Sequence, residues 1–148
     1  MKVSDVMTKD VYTLSPDQTL AEAAKLLLDK DVGGVPVTRE KRVVGMLSER
    51  DLLDARLNPR PPRYLELLGG IIYLDNVSEY QSQLKKTVAT KVEQVMTKDV
   101  ISVDINTPVV EAARLIRDHG INRIPVLDGE RLVGIVTRHD VLQGMVRQ

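Results

Sequence analysis

The chain has 148 residues, 21 basic and 21 acidic side chains and no Cys, Phe or Trp. That length suits one ordinary domain or two very small ones. The neutral balance withholds the basic field that nucleic-acid binding relies on, and the missing cysteine excludes disulfides, thiolate metal sites and cysteine nucleophiles.

The opening stretch MKVSDVMTKD has no apolar run of the secretory type. The longest apolar stretch, LLGGIIYL at 67–74, falls far short of the roughly 20 residues a membrane helix needs. A cytoplasmic protein with no membrane contact is therefore expected. VMTKDV at 6–11 returns at 95–100, and laying Val3 on Val92 aligns 3–58 with 92–147 without a gap, about a third of the pairs being identical. The chain contains an internal repeat.

Each copy begins with a short extended piece, Val11 to Leu14 or Val100 to Val103. A helix follows, with its apolar stripe on Leu20, Ala23, Ala24 and Leu27, or on Val109, Ala112, Ala113 and Ile116. Thr19 with Glu22 predicts a capping box, and Pro108 is expected at the first helical position behind Thr107 as cap. Gly33-Gly34 and Gly120 are expected to end these helices. His119, in the last turn of the second, reads as a cation on terminal carbonyls. Two strands come next, Val35–Thr38 and Val43–Leu47, then Ile124–Leu127 and Leu132–Val136, with a turn at Asp128-Gly129. A last helix begins at Ser48 or Thr137. The expected fold is thus α+β: two βαββα repeats packed through their sheets about a pseudo-two-fold axis, because a unit of roughly 60 residues buries too little surface alone. Two equivalent clefts follow where the copies meet. Met7 and Met96 are expected in the core or over a cleft. The boundaries are 1–58, 59–91 and 92–148.

The insertion 59–91 has no partner in the duplication. NPRPPR reads as a Pro-rich extended linker, YLELLGGIIYL as a dense apolar patch around Gly69-Gly70, and a helix is expected from Asp75 or Asn76 with Val77, Tyr80, Leu84 and Val88 on one stripe. Lys85-Lys86 suit its C-terminal dipole. The segment either covers a core edge or forms a dimer or partner surface.

At each strand-to-helix junction stands Gly-x-x-Ser/Thr-x-x-Asp: Ser48 with Asp51, Thr137 with Asp140. Free backbone N–H groups at a helix start favour an anion such as phosphate, and the hydroxyl adds one more hydrogen bond. The acid one turn on offers two oxygens to a ribose cis-diol. The same spacing is also that of a capping box, and one side chain can serve both purposes. Neither a nucleophile–base pair nor a metal-ligand cluster is visible, so no catalytic or metal site is expected.

The ordered set of VMT, VPV or IPV, and Gly-x-x-Ser/Thr-x-x-Asp, present twice, resembles the tandem cystathionine-β-synthase (CBS) domains. The resemblance implies a regulatory module that binds AMP, ADP, ATP or S-adenosylmethionine as a ligand with no obligatory cofactor. It also implies a homodimer and an effector protein that reads the bound state. In similar pairs the adenine lies between the first strand and the strand before the Pro, with the acid coming from the opposite repeat. Carried onto this sequence, Thr13, Gly34 and Val35 would serve the cleft of Thr137 and Asp140, and Ser102, Arg123 and Ile124 that of Ser48 and Asp51. NRIPV resembles the HRLPV of the AMP-activated kinase regulatory subunit, which makes Arg123 the expected phosphate cation. Gly33-Gly34 gives the first repeat no such cation. Arg50 and His139, just before each acid, are further candidates, whereas Arg138 suits solvent equally well. The alternative is a protein–protein interaction module with vestigial clefts, working through 59–91.

Overall fold

The computed structural model describes residues 1–57, 64–74, 76–82 and 90–147. In chain order they form α1 (Leu20–Lys30), β1 (Gly34–Arg39), β2 (Arg42–Ser48), α2 (Glu49–Leu57), β3 (Tyr64–Leu67), β4 (Gly70–Tyr73), β5 (Val103–Asp104), α3 (Val109–His119), β6 (Arg123–Asp128), β7 (Arg131–Thr137) and α4 (Arg138–Val146). Both repeats are therefore built alike. β1 and β2 are antiparallel, as are β6 and β7, and each pair shifts register at the same place, after Val37 and after Val126. β5 runs parallel to β6. In the first repeat a single residue holds that place: Leu14 donates its N–H to the Pro36 carbonyl (3.1 Å) and accepts from Thr38 N–H (2.9 Å). No helix among the described residues is long and apolar enough to cross a membrane.

Helix starts follow the expected chemistry in one copy and depart from it in the other. Thr19 Oγ1 accepts from Glu22 N–H at 3.2 Å while the Glu22 carboxylate accepts from Thr19 N–H, so the α1 capping box is real. The Thr19 backbone bond, foremost, holds the Glu22 carboxyl below its usual range. The expectation for α3 is corrected. Pro108 is the cap itself, with extended ψ of 143°, and the helix begins one residue later at Val109. Extended backbone there lets Pro108 bridge Lys2, and the Thr107 carbonyl accepts from Val3 N–H instead of opening a helix. Gly120 ends α3 in the left-handed region, as expected, but α1 ends on Asp31 at φ 50° rather than at Gly33-Gly34.

Each repeat's core is completed by the other repeat's leading segment. Val3 is fully buried with Val109, Ala112, Ile124 and Val136, and Val6 and Met7 pack beside them. Reciprocally, Val92 is fully buried with Leu20, Ala23, Val35 and Leu47, flanked by Val95 and Met96. The backbone confirms the exchange: Thr8 and Ile135 trade N–H···O bonds of 2.8 and 2.9 Å, and Met46 and Thr97 trade two of 2.9 Å. Met7 lies on Gly134 and Met96 on Gly45, so closely that a Cβ on either glycine would collide with the sulfur. The methionines are core groups that lock one repeat to the other. β2 also lies against β7, and Arg42 and Glu130 pair across that seam at 2.7 Å.

In the insertion, β3 and β4 form a two-stranded hairpin pairing Tyr64 with Tyr73 and Leu67 with Gly70. Its loop is Leu68-Gly69, with φ of 49° and 81°, the positive-φ pair that suits strand twist. Residues 77–82 are helical, and Asn76 Oδ1 accepts from Glu79 N–H at 3.2 Å, so the cap is Asn76. The NPRPPR stretch and Leu84, Lys85, Lys86 and Val88 lie outside the described residues.

Candidate functional site

Ser48 and Thr137 end β2 and β7, and each caps the helix that follows. Thr137 N–H donates to Asp140 Oδ2 at 2.8 Å, and Asp140 N–H to Thr137 Oγ1 at 3.2 Å. At the other junction Ser48 N–H donates to Asp51 Oδ2 at 2.9 Å, Asp51 N–H to Ser48 Oγ at 3.3 Å, and Ser48 Oγ to Asp51 Oδ2 at 3.1 Å. Glu49 N–H and Arg138 N–H are also taken, by the carbonyls of Gly33 and Asn122, each at 2.9 Å. Both motifs are capping boxes. The acids spend only Oδ2 on the cap, and among the described residues Oδ1 of neither accepts a hydrogen bond.

A cavity of about 780 Å³ opens in front of the first motif, large enough for a nucleoside-sized molecule. Ser48, Arg50 and Asp51 line it from the first repeat, and Arg123 from the second. Its apolar wall is shared: Met46 and Leu53 from one repeat, Val100, Ile101 and Ile121 from the other. The remaining expected members of this cleft do not reach the wall. Ser102 is exposed one residue before Val103, and the Ile124 side chain is fully buried in the second core. Val100 and Ile101, not Ser102, present that segment to the cavity because Val103 turns into the core and pairs with Val126. His119 lies in the last turn of α3, as expected, and also borders the cavity. Glu49, Asp54 and Asp99 also stand on this wall without having been expected there; only their place beside the motif and in the VMTKD repeat could have flagged them.

At the matching motif, Thr137 and Asp140 are half-buried and His139 is exposed. Thr13 is exposed, and Val35, at 2% exposure, points into the first core.

Arg123 explains the glycine pair of the first repeat. Its half-buried guanidinium crosses to the backbone of Gly33-Gly34, where a Cβ on Gly34 would stand 2.5 Å from Nη1 and 3.0 Å from the Leu47 carbonyl oxygen. Gly34 occupies the place of Arg123 in the repeat alignment, and the guanidinium needs glycine opposite it. Burial draws the guanidinium's pKa down from its ordinary value, while the carboxylates of Glu49 and Asp51 oppose that shift; an arginine stays charged regardless. Gly34→Ala should therefore displace Arg123 and press on Leu47, costing about 1–3 kcal/mol; chemical denaturation of the variant checks it.

No group of three or more His, Asp or Glu among the described residues is arranged to hold a metal ion. What the arrangement offers is a slot with apolar sides, a carboxylate oxygen free to accept from hydroxyls, and a half-buried guanidinium.

The sequence profile of the CBS domain family matches residues 3–58 and again 92–147. The CBS domain-containing protein YhcV of Bacillus subtilis is 32% identical over 139 residues, covering 94% of this chain and 81% of that protein. The chain spans only 39% of protein MJ1232 and 23% of inosine-5′-monophosphate dehydrogenase of Methanocaldococcus jannaschii, so in those relatives the match is part of a longer protein. Among solved structures, CBSX2 in complex with AMP is 29% identical, with a TM-score of 0.75 over 99% of this chain and 96% of its own. The MJ0100 CBS pair of Methanocaldococcus jannaschii, at 23% identity and a TM-score of 0.73, shares the fold. Two matched repeats, exchanged leading segments and paired strand-to-helix motifs make this chain a member of the CBS domain family, built as a tandem pair.

Proposed function

We propose that the chain is a regulatory, non-catalytic module that binds an adenosyl ligand in the cleft between its repeats. The observation that carries this reading is the Asp51 carboxylate: Oδ2 closes the α2 cap, while Oδ1 is left for a sugar hydroxyl on the wall of a cavity with aliphatic sides. Met46, Ile101 and Ile121 would flank a flat base, and Arg123 stands where a 5′ substituent would extend. The AMP bound to CBSX2, a relative matched along nearly its whole length, supports the ligand class. Because the cavity opens at the Ser48–Asp51 motif, we assign the tighter site to it.

Signalling would pass through α2. Leu53 lines the cavity and is 61% exposed, and its repeat mate Leu142 on α4 is 55% exposed. An exposed leucine on each of the two equivalent helices would suit a homodimer. A ligand against Leu53 would then bias that contact, and an effector protein would read the change.

A thermal-shift panel of adenosine, AMP, ATP and S-adenosylmethionine tests this. A ligand at 100 times its dissociation constant adds about 2.7 kcal/mol, which for a chain of this size raises Tm by roughly 5–10 °C. No rise with any of the four at millimolar concentration would overturn the reading. One observation favours the alternative, an interaction module working through the insertion: Leu65, Ile71, Ile72 and Leu74 of the hairpin segment are all exposed.

A further inference from the structure

We infer that the Ser48–Asp51 cleft selects adenosyl compounds without net negative charge, namely a nucleoside, a thioether nucleoside or a sulfonium, over nucleoside polyphosphates. This rests on the adenosyl reading of the same cleft. Four carboxylates line its wall, Glu49, Asp51, Asp54 and Asp99, against two guanidinium groups, Arg50 and Arg123. Of the two, Arg123 lies over Gly33-Gly34, where the charges of Glu49 and Asp51 act on it.

At the helix start, the second source of anion binding, three N–H groups already have acceptors within the chain. Ser48 N–H donates to Asp51, Glu49 N–H to the Gly33 carbonyl and Asp51 N–H to the Ser48 hydroxyl. The chain's own Asp51 carboxylate already sits at the positive end of the α2 dipole. A triphosphate entering this cleft would meet uncompensated acids, whereas a sulfonium would meet complementary charge.

Two of the four acids, Glu49 and Asp54, belong to this cleft and not to the repeat, whereas Asp99 and Asp51 match Asp10 and Asp140. Residues matching Glu49 and Asp54 in the second copy are Arg138 and Gln143, and the residue matching His119 in the first is Lys30. The duplicated site has diverged in charge while keeping its acid at Asp51 and Asp140. Glu49, at the first position of α2 and facing Arg123, is the residue that sets the preference.

The test is isothermal titration of the full chain with adenosine, 5′-methylthioadenosine, S-adenosylmethionine and ATP in magnesium-free buffer at about 0.1 M salt. Repeating it in Asp140→Ala keeps the second cleft from contributing. At least one of the three uncharged or cationic ligands should bind roughly tenfold or more tightly than ATP in both chains. Glu49→Arg with Asp54→Gln, which installs the second repeat's residues, should erase or invert that ratio, and Glu49→Gln alone should narrow it if the double variant fails to fold. ATP binding as tightly as the other three in Asp140→Ala, or a ratio unmoved by the Glu49 variants, overturns the selectivity while leaving adenosyl binding intact. Failure of all four ligands to bind removes the adenosyl reading, and this inference with it.

Discussion

Removing residues 1–8 is expected to destabilise the second repeat, from which they are most distant in sequence, before the first. Val3 is fully buried among Val109, Ala112, Ile124 and Val136, a burial that contributes about 1.5–3 kcal/mol. Val6 and Met7 pack beside it, and the segment supplies Val3 N–H to the Thr107 carbonyl, the Met1 carbonyl to Val109 N–H and the Thr8–Ile135 pair. The truncation should cost at least about 3 kcal/mol, a Tm drop on the order of 10 °C. Amide exchange gives the sharper readout: α3 and β6 should lose protection first. Loss of protection first in α1 and β1 would show that the arm stabilises its own repeat instead. The point mutation Val3→Ala should move the same amides by a smaller amount, and Val92→Ala should move those of α1 and β1.

This exchange is the part of the architecture that sequence reasoning could not see. The duplication, the apolar stripes of α1 and α3, and the order of strands were all legible, because each depends on local periodicity and on caps such as Thr19 with Glu22. Val3 and Val92 also read as apolar, but an apolar residue carries no address, and nothing in VSDVM says which repeat's core receives it. The hairpin was missed for a different reason. Its loop places Leu68 at φ 49°, where glycine or asparagine is the usual signal, so the apolar run read as a featureless patch. Gly33-Gly34 was legible as glycine and misread as a helix stop. Its actual role, leaving space for Arg123 from the other copy, exists only once the two repeats are packed. The site residues divide the same way. Ser48 and Asp51 could be flagged because the motif is local and repeated, and Arg123 only through the resemblance of NRIPV to HRLPV. Glu49, Asp54 and Asp99 join the cleft through tertiary packing.

Asp51→Ala should weaken adenosyl-ligand binding at least tenfold while lowering stability by only about 1 kcal/mol, the usual cost of losing a cap interaction. The two effects separate because the carboxylate does two tasks with different atoms. Oδ2 accepts from Ser48 N–H and Ser48 Oγ, whereas Oδ1 is left to the cavity. Asp51→Asn tests that division directly. Its carbonyl oxygen can still accept from Ser48 N–H, so stability should recover most of the loss. Its amide now donates where a ribose hydroxyl needs an acceptor, so affinity should not recover. Asp140→Ala breaks the matching box at Thr137 and should cost a similar amount of stability. Its effect on affinity should be smaller, since the ligand cavity opens at the Ser48–Asp51 motif. Paired denaturation curves and titrations of the three variants measure both quantities. Equal stability losses with unchanged affinity in every variant would leave both acids as caps and nothing more.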